Sequence, residues 1–130
     1  MLHRLTKAER LSSKAVIDRL FSGGNGSMAM FPLRIVWMLS ERSQGDDAVP
    51  PVRMLVSIPK KRLRHAVDRN RMKRQVREAY RLNKEILWKA LEASGKRIDI
   101  AFIGITDQPV SSQSVHRSVV KSLVRISEKL

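Results

Sequence analysis

The sequence predicts a mixed α/β (α+β) fold with elements in the order helix, two or three strands, long helix, strand, helix. Three observations carry this. Runs rich in β-branched and other apolar residues occupy 28–39, 54–58 and 98–105. Between the last two runs, the apolar residues recur with a helical period. Clusters of Gly, Pro and Ser fall at the joints between these segments. A strand on either side of one long helix makes a βαβ crossover, and so a parallel strand pair.

In chain order, Ser12 and Ser13 offer an N-cap for a short helix through Ala15, Val16, Asp18, Arg19, Leu20 and Phe21. Gly23 to Gly26 break that helix, because glycine reaches turn conformations at little steric cost. Met28 to Leu39 read as extended structure, broken or bulged at Pro32, and Ile35, Val36 and Trp37 give the second half strong β character. Ser40 to Pro51 form a polar loop, and Met54 to Ile58 a short strand that Pro59 closes. The long helix is expected from about His65–Asp68 to about Ala93. With Met72 at the origin of a wheel, Val76, Ala79, Ile86, Leu87 and Ala90 fall within about 60 degrees of it, which defines a core-facing stripe. Tyr80 and Trp88 read as core or edge packing. Ser94-Gly95 ends the helix. Ile98 to Ile105 are nearly all apolar, as in a strand buried on both faces. Ser111 or Ser112 then caps a last helix with Val115, Val119, Leu123 and Ile126 on one side.

The chain has 130 residues, enough for a single domain, and no internal repeat. Without cysteine it has no disulfide framework, thiolate metal site or Cys nucleophile. No apolar run approaches the roughly 20 residues that span a bilayer. The first residues lack a secretory apolar core, so a cytoplasmic location is expected, with no membrane association. The net charge of +14 calls for an acidic partner, and its distribution is uneven: eight of those charges lie within the 22 residues Lys60 to Arg81.

That segment, KKRLRHAVDRNRMKRQVREAYR, holds ten Lys or Arg against only Asp68 and Glu78. A solvated helix usually interleaves acids one turn from its bases; here internal neutralisation is inadequate, and a polyanion has to compensate. On the wheel, Arg69, Asn70, Lys73, Arg74, Arg77, Arg81 and Lys84 form a basic face beside the apolar stripe. Lys60, Lys61, Arg62 and Arg64 extend it into the preceding loop. Seven of the ten bases are arginine, whose planar fork grips phosphate and stacks on bases. Charge alone leaves three readings open: a subunit of a ribonucleoprotein enzyme, a structural RNA-binding protein, or a DNA-binding regulator. The last lacks any zipper or helix-turn-helix pattern. A metal-dependent nuclease would need clustered carboxylates, whereas the twelve acids are dispersed and Asp46-Asp47, in the polar loop, is the one adjacent pair. His65 and Asp68, three apart at the helix start, could form a base and its orienter. They read better as a first-turn acid and a histidine that adds RNA contact. His3 and His116 are distant in sequence.

The spacing narrows the choice. AVDRNRMKRQVREAYR, Ala66 to Arg81, resembles the signature of the bacterial ribonuclease P protein subunit: A-V, one residue, R-N-R, one residue, K-R, and later R-E-A-Y-R. Glu9-Arg10-Leu11 and Arg19-Leu20-Phe21 are similar to that family's first helix, and Lys96-Arg97 with Asp99-Ile100 to its final strand. Arg64 stands where the family usually has glycine, and Ile17 where many members have an aromatic.

The resemblance implies a two-layer sandwich on a four-stranded mixed sheet with a left-handed βαβ crossover, against the usual right-handed rule. It also implies removal of the 5′ leader from precursor tRNA by a catalytic RNA that holds the active site, with Mg²⁺ bound by RNA and substrate rather than by the protein. The expected contacts to catalytic RNA are Lys60, Lys61, Arg62, Arg64, His65, Arg69, Asn70, Arg71, Lys73, Arg74, Arg77 and Arg81. The precursor leader is expected in a cleft between the first helix and the sheet, at Ile17, Phe21 and Trp37. No catalytic residue, protein metal ligand or obligate protein partner is expected.

Overall fold

A computed structural model describes residues 5–23, 25–41 and 50–130. His3 and the Asp46-Asp47 pair lie outside them. Helix α1 (Lys14–Phe21) is followed by strands β1 (Gly26–Met30), β2 (Leu33–Glu41) and β3 (Val52–Ser57). Helices α2 (Ala66–Asn83) and α3 (Glu85–Ser94) then lead to β4 (Lys96–Gly104) and α4 (Ser112–Glu128). The four strands form one mixed sheet in the order β1-β2-β4-β3. β2 is antiparallel to both β1 and β4, and β3 runs parallel to β4 across the α2–α3 crossover.

The run through Pro32 is a hairpin. Only Phe31 and Pro32 separate β1 from β2, so the turn falls where proline withholds its N–H from the ladder. In the register, Gly26 faces Trp37, and a Cβ on Gly26 would overlap the indole, so the strand can start there only with glycine.

Alternation assigns the two faces. Leu33, Ile35 and Trp37 of β2, Val52, Met54 and Val56 of β3, and Ile98, Ile100 and Phe102 of β4 build the main core with the apolar stripes of α2, α3 and α4. Each such side chain contributes about 1.5–3 kcal/mol by leaving water. Val115, Val119, Leu123 and Ile126 of α4 are all fully buried, and Ser111 caps their helix by accepting the Ser114 N–H at 3.1 Å. The opposite face is thinner: Val36, Met38, Leu55, Ala101 and Ile103 pack against Leu11, Val16, Ile17 and Leu20. β4 is therefore buried on both sides, as its composition requires.

The long helix is not continuous. It divides at Lys84, where the Asn83 side-chain amide donates to the Ala79 carbonyl at 2.8 Å and competes with the backbone ladder. Lys84 itself turns inward. Its Nζ meets Glu9 Oε1 at 2.7 Å with both side chains 2% exposed, and sits 4.9 Å from the Trp88 ring centroid. The wheel's basic face consequently ends before Lys84, and past the break the core stripe falls on Leu87 and Leu91, with Ile86 and Ala90 only half-buried.

Glu9 belongs to a 3-10 turn (Lys7–Glu9) whose other carboxylate oxygen accepts the Thr6 N–H at 2.6 Å. From there the chain runs along the outer edge of β3, with Arg10 bridging Met54 and the Leu11 N–H donating to the Met54 carbonyl at 2.8 Å, before α1 crosses the thin face. The segment thereby covers an otherwise open strand edge. None of the described helices is long and apolar enough to cross a membrane.

Candidate nucleic-acid interface

The loop before α2 is built to hold charge outward. The Arg62 and Leu63 N–H groups both donate to the Pro59 carbonyl, and Leu63 is buried, which anchors the turn while Lys60, Lys61, Arg62 and Arg64 stay exposed. Arg69 reaches back from the first turn of α2 and donates from Nη1 to the carbonyls of Leu63 (2.9 Å) and Arg64 (2.8 Å). The first arginine of the R-N-R triplet thus braces the loop, while Asn70 and Arg71 lie exposed beside it.

Of the expected contacts, His65, Asn70, Arg71 and Arg74 are exposed, and Lys73, Arg77 and Arg81 are half-buried along the same helix. His65 is the N-cap residue and its side chain makes no capping bond. Besides Arg69, which the loop carbonyls hold, two of these bases already face an acid: Arg81 binds Glu78 with two bonds (2.6 and 3.1 Å), and Arg62 lies 3.3 Å from Asp107. Lys60, Lys61, Arg64, Arg71 and Arg74 make no ion pair among the described residues. Partial burial, followed by the like charge of Arg10, lowers the pKa of the Arg77 guanidinium. Arg10, exposed at the β3 edge where it bridges Met54, adds its charge to this side of the molecule. Spacing could not have shown it, because the β3-edge course of the N-terminal segment brings residue 10 near residue 77.

The thin face carries a hollow of 390 Å³ between the end of α1 and the sheet. Leu20, Val36 and Ile103 form its apolar wall, Phe21 stands at its rim 47% exposed, and Arg34 supplies a cation. Arg34 donates from Nη1 to Ser27 Oγ at 3.1 Å. Ile17 packs nearby in the small core of this face but is not among the residues lining the hollow. Trp37 is elsewhere: it is 6% exposed and belongs to the main core under the helices. Period-two alternation places it with Leu33 and Ile35 and turns Arg34 and Val36 outward. That signal exposes the cleft's missed cation and removes its expected tryptophan.

Tyr80 is fully buried, 6.3 Å from the Phe102 ring centroid, and its hydroxyl accepts the Trp88 Nε1–H at 3.2 Å. Burial drives its phenol pKa strongly upward. Asp99 is held by Arg53 in a bidentate pair at 2.9 and 3.1 Å. Glu9, Glu78, Asp99 and Asp107 are each bound to a cation, and no group of three His, Asp or Glu suited to a metal occurs among the described residues.

An α+β core with a basic helical outer surface and an apolar, cation-rimmed hollow on the other side of its sheet defines a protein built to meet a polyanion. Residues 5–127 match the family model described as Ribonuclease P. The chain is 42% identical over 123 residues to the ribonuclease P protein component of Porphyromonas gingivalis, covering 95% of this chain and 86% of that one. It is 41% identical over 87 residues to the component of Chlorobaculum tepidum, covering 67% and 55%. The fold matches the Staphylococcus aureus RNase P protein with a TM-score of 0.66 at 21% identity, over 94% of this chain and 97% of that one. It matches the Thermotoga maritima RNase P protein with a TM-score of 0.65 at 24% identity, over 90% and 96%. The chain belongs to the ribonuclease P protein family. Membership makes it the protein component of a ribonucleoprotein endonuclease of tRNA 5′ processing.

Proposed function

We propose that the protein binds the catalytic RNA through the loop and outer face of α2, and the precursor's 5′ leader in the hollow beside α1. The observation that carries this reading is the row of exposed cations Lys60, Lys61, Arg64, Arg71 and Arg74 with no described acidic partner, fixed by a loop that Leu63 and Arg69 anchor. Phosphates of a folded RNA supply the missing counter-charge. The leader is single-stranded, so Phe21 offers a surface for base stacking and Arg34 a phosphate contact. Because the two surfaces lie on opposite sides of the sheet, the protein bridges catalyst and substrate. It contributes binding and orientation while the bond-breaking groups sit in the RNA. Mg²⁺, which favours phosphate oxygens and retained waters, would be held by the RNA and the substrate.

Charge reversal at Arg71 and Arg74 tests this directly, since both side chains are exposed and leave the loop brace intact. The variant should fail to stimulate precursor tRNA cleavage by the cognate RNA at low Mg²⁺. Each lost phosphate contact should also flatten the dependence of log affinity on log salt by about 0.7–0.9. Full stimulation by the variant would sink the proposal. Sequencing RNA that copurifies with the protein separates this reading from a structural role: ribosomal RNA alone would favour the latter.

A further inference from the structure

The hairpin tip between β1 and β2 displays Phe31 with 69% of its surface in solvent. Exposure at a turn is ordinary, but this turn is held on both sides. The Met30 carbonyl accepts the Ser118 hydroxyl of α4, and the carbonyl of the buried Pro32 accepts the Ile105 N–H at 2.9 Å. Phe31 is therefore a ring presented from a fixed mount. Beside it, a hollow of 390 Å³ is walled by Arg117 and Lys121, one turn apart on the exposed side of α4. Neither cation makes an ion pair among the described residues, and Glu128 is the one acid on α4.

The same two cations also line a neighbouring hollow toward Asn83 and His116. His116 in turn borders the groove between α2 and α4, whose far wall is Arg71 and Arg74. Adjoining hollows thus lead from Arg71 and Arg74 on α2, past Glu78, Gln113 and His116, to Arg117 and Lys121 beside Phe31.

We propose that Phe31, Arg117 and Lys121 form a second nucleotide-binding site that takes an unstacked base of an RNA strand. The ring stacks on the base, and the two cations hold the flanking phosphates. Aromatic surface with adjacent unpaired bases is the chemistry that single-stranded nucleic acid requires. The site extends the α2 surface and so rests on the RNA-binding reading above. The strand belongs either to the catalytic RNA or to the precursor tRNA.

Two binding measurements distinguish these sources: protein with catalytic RNA alone, and precursor tRNA with the assembled holoenzyme. Phe31→Ala should raise the dissociation constant about 5- to 150-fold, the worth of one stacked base, in the arm that contains the strand. Phe31→Trp should restore it. Arg117→Gln with Lys121→Gln should lower the salt slope of that arm by about 1.4–1.8. All three positions are exposed, and thermal unfolding should match the parent protein. Parental affinity for Phe31→Ala in both arms, while reversal at Arg71 and Arg74 still abolishes RNA binding, overturns the second site and spares the first. If neither set of changes weakens binding, both readings fall.

Discussion

The two faces of the sheet draw on the same strands and serve opposite ends. The face under α2, α3 and α4 is sealed by a core of buried aliphatic and aromatic side chains, so its chemistry sits on the outside of the helices, as charge. The face under α1 is only partly covered, and its chemistry sits on the strands themselves, in the hollow between Phe21, Val36 and Ile103. A deep core makes a rigid platform for a folded, highly charged partner. A shallow one leaves apolar strand surface free for unstacked bases. Coverage by helices therefore sets what each face exposes, charge on one side and apolar strand surface on the other.

The N-terminal segment ties the faces together, and cutting that tie should produce the largest effect. Lys84→Ala strands Glu9 in the interior, and removing one partner of a buried pair costs about 3–5 kcal/mol. The urea midpoint should fall accordingly in one cooperative transition, because Leu5 and Leu11 root the same segment in both cores. Replacing Glu9 and Lys84 together by methionine should recover most of the loss, since an apolar pair leaves no buried charge. Two separate transitions in the single variant would show instead that the α1 side unfolds independently.

Binding to the shallow face comes next in size. Phe21→Ala should weaken the holoenzyme's hold on precursor tRNA by about 5- to 150-fold, while its hold on leaderless tRNA and the thermal midpoint stay at parental values. The half-exposed ring contributes little to the core, so stability and binding separate at this position. Equal losses on both RNAs would move Phe21 off the leader and remove the functional half of the contrast.

The deep face was the more legible of the two in sequence, for a physical reason. Its helices carry long apolar periods, and Met72, Val76, Val115, Val119, Leu123 and Ile126 are all buried where periodicity puts them. The basic loop and helix were equally plain, because charge that must meet a polyanion has no reason to be interleaved with acid. What spacing could not convey was long-range. Lys84 looks like one more base on a helical wheel until Glu9, 75 residues away, draws it inside. Arg10 gains its meaning from Arg77 only once the N-terminal segment follows the β3 edge. Arg69 reads as a contact in the motif, yet it braces the loop that presents its neighbours. Trp37 and Arg34 become legible once the register is known: two-residue alternation from Leu33 turns the first into the main core and the second toward the thin face.

Glu78 should give the smallest effect and the finest test of how the deep face uses its charge. Hydrogen bonding to Arg81 holds the Glu78 carboxyl below its ordinary pKa. Any stability from the pair is therefore present above the unfolded-state pKa and lost as pH falls through the folded one. The pair is solvent-exposed, so that contribution is small and Glu78→Gln should leave the thermal midpoint unmoved at neutral pH. RNA affinity should rise about two- to fivefold at low salt, because the substitution removes a negative charge from the basic face, and the gain should vanish at high salt. A fall in affinity would mean the reverse, that Glu78 aims the Arg81 fork at the RNA. In that case an acid on the basic face orients a cation there and does not simply dilute its charge.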